Sequence, residues 1–445
     1  MTLHTMHIGF DDTDSTRKGC TTYIVALLVE KLERLGVKFV DYPNLIRLNP
    51  NVPWKTRGNG ALCLRLQFNS NFEEKIKETV LETVEENSDL AAEGTEPGIV
   101  FFKSATIPRE LKMFAKKTIT DIVTFQEALK LLRKFKAEAF GFKSGQGIIG
   151  ALAAVGENLN ADHTYELIAY RAQENWGSTR RVDDTSVFSM DKATAPYTFN
   201  NMDAEKRRIV ITPRGPDPIL FGIRGESPEI VKKAFGMVKP LEPVDRWVVF
   251  RTNHGTDAHL VRIRSLSEAR PYMSIIAKGV VSVNPRIVPL RHVVFSVEDG
   301  SGEIDCAAYE PTGELRRKAR ELIVGDKVEI YGAVRSFGKG RPLTVNLEKI
   351  RVLHLAPKFA YSNPFCDKCG KRLKSMGAGK GFRCERCGLR YETKAKLKVK
   401  AERAIQKGLH VTSTRSQRHL TKPLRRYGLE KRHAKVNLVD CWHSP

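Results

Sequence analysis

The sequence predicts a multidomain α+β protein, and three observations carry the prediction. Apolar residues alternate between strand and helix spacing through the first 260 residues. Five short strand patterns with one helix pattern among them follow at 275–355. Two Cys-x-x-Cys pairs then stand close together at 366–387. The 445 residues allow three or four domains at roughly 100–200 residues each.

MHIGF (6–10) reads as a buried strand, and nothing before Met6 carries a structural pattern. It runs into FDDTDSTRKGCTTY (10–23), where Asp11, Asp12 and Asp14 fall within four residues. Ile24, Leu27, Leu28, Leu32 and Leu35 then recur at helical spacing, closed by Gly36. KFVDYPNLIRL is extended, PNVPWKTRGNGA is a loop, ALCLRLQF alternates as a half-buried strand, NFEEKIKETVLETVEEN is a helix and PGIVFFK a strand. Residues 125–140 read as a basic helix, and KSGQGIIGALAAVG is a glycine-rich stretch leading into the strand HTYELIAYR. After a long irregular stretch, residues 207–252 give strand, turn, strand, helix, strand. With the 164–170 strand they fit a ferredoxin-like unit. The expected borders are 1–156 for the first mixed α/β unit and 157–262 for the ferredoxin-like one.

From about 275 three strand patterns, the helix GELRRKARELIVG and two more strands give the order of an OB-fold β-barrel, expected over 270–355. That fold commonly binds nucleic acid, with a structural or protein-binding barrel as the competing reading. Cys366-x-x-Cys369 and Cys384-x-x-Cys387 are fourteen residues apart, and glycines (Gly370, Gly388) follow each pair. Four thiolates suit a closed, structural Zn²⁺ site in a zinc ribbon at 360–395, with an iron–sulfur cluster as the alternative. Cys20, Cys63, Cys306 and Cys441 read as buried or incidental thiols. A basic tail occupies 396–445: positions 394–435 hold fourteen Lys and Arg against Glu402 and Glu430. It reads as a solvated, partly disordered arm that adds phosphate contacts.

Lys and Arg total 74 against 51 Asp and Glu, a net charge of +23, which points to a nucleic-acid partner ahead of a membrane surface. With 41% apolar residues a packed core is expected. No apolar run reaches the roughly 18 residues of a membrane span, and no signal pattern opens the chain, so a cytoplasmic protein without a membrane partner is expected.

Against that positive background, Asp11, Asp12 and Asp14 at a strand end are natural ligands for Mg²⁺. Thr21 and Thr22 open the following helix, whose free N–H groups attract phosphate. Lys55, Thr56, Arg57, Gly58 and Asn59 add cations and flexible backbone donors without forming a P-loop. Together the two loops suit phosphoryl transfer; taken singly, they read as a capped helix and a turn. Arg214, Asp217, Arg224 and Glu226 either line a pocket for a small charged ligand or are solvated hairpin residues. His254 and His259 read as structural rather than metal-binding.

GFDDTDSTRKGCTTY, LIRLNPNVPWKTRGNGA, GQGIIGALAAVG and ILFGIRGES, followed by the OB-fold and four-cysteine patterns, occur in that order. From about residue 7 to the tail, the chain resembles the archaeal isoleucine-tRNA 2-agmatinylcytidine synthetases. The resemblance implies that 1–156 is a kinase-like catalytic domain using ATP and Mg²⁺, which also phosphorylates a threonine of its own, Thr21 here. It implies a tRNA partner, the AUA-reading isoleucine tRNA with a CAU anticodon. ATP would activate the oxygen on carbon 2 of the first anticodon cytidine, and agmatine would displace it. ATP would end as AMP. On this view Asp217 or Glu226, beside Arg224, meets the guanidinium of agmatine, and the OB-fold, zinc ribbon and tail grip the tRNA. Two rival readings are a non-catalytic RNA- or DNA-binding protein and a metal-dependent nuclease or phosphotransferase.

Overall fold

The first strand is longer than MHIGF, running Leu3–Asp11, because Leu3, His4 and Thr5 find ladder partners in Asn69, Phe68 and Gln67. In the computed structural model, which describes residues 3–338, 342–432 and 436–444, this strand lies within a ten-stranded sheet among the described residues. One strand, Lys38–Phe39, pairs with Gly60–Asn69 off the main path; across the sheet the other nine run Glu138–Gly141, Gly98–Lys103, Leu3–Asp11, Gly60–Asn69, Asn44–Arg47, Val244–Thr252, Thr164–Arg171, Ile219–Gly225 and Thr198–Phe199. The last four form an antiparallel ferredoxin-like arrangement. One parallel pairing, Arg251 with Asn44 and Thr252 with Leu45, fuses it to the N-terminal strands. The two units expected over 1–156 and 157–262 therefore share one sheet.

The glycine-rich stretch is a helix, Ile148–Gly156, buried at every residue. It lies so close to the sheet that a Cβ on Gly9 would sit 2.1 Å from the Ala151 carbonyl oxygen, and one on Gly98 2.0 Å from the Ile148 nitrogen. The buried Arg65 closes its C-terminal end, donating to the carbonyl of Glu157 at 2.6 Å. The basic helix spans Phe125–Phe135, not 125–140: Lys136 turns left-handed (φ 51°), and Glu138–Gly141 becomes an edge strand. The stretch read as irregular contains a further helix, Asp184–Thr194, capped by Asp183. Its buried residues are Val187, Met190, Asp191 and Thr194, so half the inward stripe is polar and leaves little periodic signal.

The OB-fold order holds. Ser274–Val288, His292–Glu298 and Glu303–Ala308 precede the helix Glu314–Arg320, and Lys327–Arg335 and Thr344–His354 follow. The barrel closes through Ser274–Val288 on Lys327–Arg335 and through a parallel pairing of the third and fifth strands. In the zinc ribbon, Gly370 and Gly388 are left-handed (φ 68° and 73°), and their N–H groups bond back to the carbonyls of Cys366 and Cys384, both at 2.9 Å. That turn folds each cysteine pair into a knuckle.

The tail is ordered rather than a free arm; of 396–445, residues 433–435 and 445 lie outside the described residues. Leu397–Ala401 pairs with Lys358–Ser362, and Gly408–Val411 adds a strand to the OB barrel. Arg426 is fully buried, and Trp442 packs edge-on against Phe39 and Tyr42 of the N-terminal core. Its arginines find buried carboxylates, which is why high charge did not mean solvation.

Candidate active site

The end of the first strand sets its acids at the floor of a cleft of about 270 Å³. Asp11, Asp12, Asp14 and Thr21 line it from one loop, and Lys55, Thr56, Arg57, Gly58 and Asn59 from the other. Asp12 turns left-handed (φ 60°), which reverses the chain and leaves its carboxylate accepting from the Glu96 N–H at 3.1 Å and from Thr56 Oγ1 at 3.3 Å. Burial pushes the Asp12 carboxyl up to about 6 against the pull of that N–H, with the Asp14 charge adding to it. Burial, then the Asp12 charge, raises Asp11 well above the carboxylate range.

Thr21 opens the helix Thr21–Arg34. Thr13 Oγ1 donates to Thr21 Oγ1 at 3.0 Å, so the Thr21 proton points elsewhere. The opposite loop is braced by Asn59, whose amide donates to the Asn49 carbonyl at 2.7 Å, and by Asn51, which bonds Ser274 of the OB-fold and accepts from Arg418 of the tail. Arg57 donates to Asp14 at 2.5 Å and to the Gly19 carbonyl at 2.7 Å, tying one loop to the other. Lys55 has no hydrogen-bond or ion-pair partner among the described residues; burial and then the charges of Arg418 and Arg335 depress its pKa.

The predicted small-ligand cluster divides. Asp217 reaches the cleft, bonded to Arg57 at 3.2 Å and Arg180 at 3.2 Å. Glu226 does not: it is enclosed by Arg426 and Lys431 of the tail, the latter at 2.7 Å, and meets neither cavity. Arg224 and Arg214 line a second, adjoining cavity. Arg224 bonds Glu166 at 3.0 Å and His419 Nδ1 at 2.9 Å. His254 and His259 are fully buried and structural: His254 accepts from Arg47 at 2.6 Å, and His259 lies 3.1 Å from Glu348.

Several lining residues were not anticipated. Leu48, Val52, Ile122 and Val123 form an apolar wall, and His419 closes one end of the cleft from the tail. Gly150 lets the buried helix meet Asp11 directly: a Cβ there would lie 1.7 Å from Asp11 Oδ2. The glycine pattern of GQGIIGALAAVG was the available signal.

Far from the cleft, the four cysteine sulfurs lie within 4.8 Å of one another, close to the roughly 3.8 Å sulfur spacing of a tetrahedron with Zn–S bonds near 2.3 Å. Its apolar cluster of buried residues is only Cys366, Leu373, Phe382 and Cys384. Removing the metal with a chelator, or Cys384→Ser, is therefore expected to melt this ribbon alone and leave the OB core intact. Zinc content and a separate early unfolding transition would check this; a single unchanged transition after zinc loss would contradict it.

Residues 7–144 match the TiaS TCKD domain, 145–259 the TiaS FLD domain, 274–353 an OB-fold nucleic acid binding domain and 363–405 the TiaS C-terminal zinc ribbon domain. The isoleucine tRNA 2-agmatinylcytidine synthetase TiaS of Methanosarcina acetivorans is 43% identical over 429 residues, covering 95% of this chain and 97% of that protein. Among solved structures, a complex of TiaS with isoleucine tRNA and ATP is 41% identical with a TM-score of 0.84. A complex of TiaS with isoleucine tRNA, AMPCPP and agmatine is 39% identical with a TM-score of 0.82. Each covers 95% of this chain and is itself covered over 97%. With that identity sustained from the acidic loop to the tail, the chain belongs to the isoleucine tRNA 2-agmatinylcytidine synthetase family, TiaS.

Proposed function

We propose that this chain is an ATP-dependent ligase of the cytoplasm that forms agmatidine in the isoleucine tRNA with a CAU anticodon. ATP phosphorylates the oxygen on carbon 2 of the first anticodon cytidine, and the primary amine of agmatine forms the new carbon–nitrogen bond as that oxygen leaves with its phosphate. One observation carries the reading: acids from one loop and cations from the other converge on a single cleft.

Asp11, Asp12 and Asp14 would hold Mg²⁺. The fit rests on an all-oxygen donor set whose two innermost carboxyls are raised by burial and mutual repulsion, which a dication relieves. When bound, Mg²⁺ neutralises charge on the triphosphate. Lys55, unpaired, reaches the phosphates, and the apolar wall of Leu48, Val52, Ile122 and Val123 suits the adenine ring. Thr21, whose oxygen accepts from Thr13, would take a phosphoryl group, and its place at the cleft supports that role. If Arg57 turns toward the triphosphate, Asp217 keeps Arg180 and frees an oxygen for the guanidinium of agmatine. The amine, with a pKa of about 10 by analogy with lysine, gives its proton to one of the cleft carboxylates before attack.

The test is transfer of labelled agmatine to this tRNA, with a methionine tRNA of the same anticodon beside it. Label in the isoleucine tRNA alone is expected. Asp12→Asn is expected to lower the rate by at least ~10³-fold, the scale of losing a key electrostatic contact, and Thr21→Ala to lower it strongly. RNA binding without transfer by the folded wild type would overturn the reading.

A further inference from the structure

A second cavity of about 410 Å³ adjoins the cleft and shares the wall formed by Thr22, Arg47, Pro213, Ile219 and His419. Its charge is one-sided. Arg47, Arg208, Arg214, Arg224 and Arg415 line it, against the single carboxylate of Glu166. That carboxylate is already engaged by Arg224 at 3.0 Å and His254 at 2.9 Å. Arg415 is matched from behind by Asp203 and Glu205 at 2.8 and 2.9 Å. The side chains of Arg208 and Arg214 have no hydrogen-bond or ion-pair partner among the described residues, although the Arg208 backbone pairs with Asp203.

Agmatine carries an ammonium and a guanidinium, so this lining repels it; its partners lie on the Asp217 side of the shared wall. A phosphate group is the opposite case. Guanidinium forks match its oxygens bidentately, and two of these arginines are free to turn to it. We propose that the second cavity seats a phosphate group, held by Arg208 and Arg214 with Arg224 deeper in. The proposal rests on the reading that an RNA base enters the neighbouring cleft. A backbone phosphate flanking that base and free pyrophosphate share the required chemistry.

Arg208 and Arg214 are both exposed, so Arg208→Ala/Arg214→Ala is expected to fold. Lys75→Ala/Lys130→Ala, on exposed helix faces that line neither cavity, controls for the two lost charges. For a backbone phosphate, the double variant weakens tRNA binding about tenfold and flattens the salt dependence of log K by about two, one per lost contact. The KM for agmatine stays unchanged. For free pyrophosphate, tRNA affinity holds and the inhibition constant of added pyrophosphate rises instead. The proposal is overturned if neither quantity departs from the Lys75→Ala/Lys130→Ala control, or if the change is confined to the agmatine KM. A wild type that fails to incorporate agmatine, with the double variant still losing RNA affinity, would overturn the reaction and keep the phosphate seat.

Discussion

Gly150→Ala is expected to cut agmatine transfer by at least ~100-fold, the range seen when catalytic groups are misplaced by about an ångström. Helix propensity alone argues the other way, since alanine in a helix interior is favoured over glycine by about 1 kcal/mol. Geometry decides against propensity. The added carbon would lie 1.7 Å from Asp11 Oδ2 and 2.5 Å from its Cγ, well inside contact distance. The helix cannot back away cheaply, because Gly9 and Gly98 show how tightly its backbone is seated on the sheet. Asp11 must therefore leave its place in the cleft, or the helix must shift and carry Gly147 with it. Transfer rate and thermal melting, measured together, check this. A variant that melts higher and keeps full activity would show that the Asp11 carboxylate has no role in the chemistry.

Arg426→Ala is expected to destabilise the protein by about 3 kcal/mol, the low end for breaking a buried ion pair. Arg426 donates to Asp162 at 2.8 Å, to the Gly255 carbonyl at 2.6 Å and to Glu226. Lys431 and Lys422 stay close to those carboxylates at 2.7 and 3.5 Å, which is why the low end applies. The pH dependence follows from Asp162. Burial alone would raise its pKa, yet Arg426 holds it below the ordinary value. A depressed carboxylate stabilises the fold above its unfolded pKa, about 3.9 for Asp, and that contribution is lost as pH falls through the folded value. Variant and wild type are therefore expected to differ most near neutrality and to converge below pH ~4. Melting curves across that range test it; an equal gap at pH 7 and pH 3 would remove the ion pair as the cause.

What the sequence made legible was local chemistry. FDDTD, KTRGNG and the cysteine spacing put their groups within a few residues of one another, so type and spacing sufficed. The OB-fold was readable because each of its strands has a turn beside it. Asp217 and Glu226 show the boundary. They flank the two ends of one strand, Ile219–Gly225, and only an arginine two hundred residues away decides that Glu226 is enclosed while Asp217 meets the cleft. His419 carried no pattern, since one histidine in a basic tail looks like any other until the chain folds back. The shared sheet was hidden for a similar reason: its joint is a short parallel pairing between segments that each read simply as extended.

The route of the tail also sets an order of events during synthesis. Gly408–Val411 finishes the OB barrel, Arg418 braces Asn51 beside the cleft loop, His419 reaches the cleft, Arg426 locks the ferredoxin-like strands, and Trp442 caps the N-terminal core. These segments leave the ribosome after every domain they complete. A nascent chain can thus shape its acidic loop early, yet its cleft stays open on the tail side until residues 408–442 have been made. Folding of the body and completion of the site are separated in time, and the tail, made after the domains it touches, is what joins them.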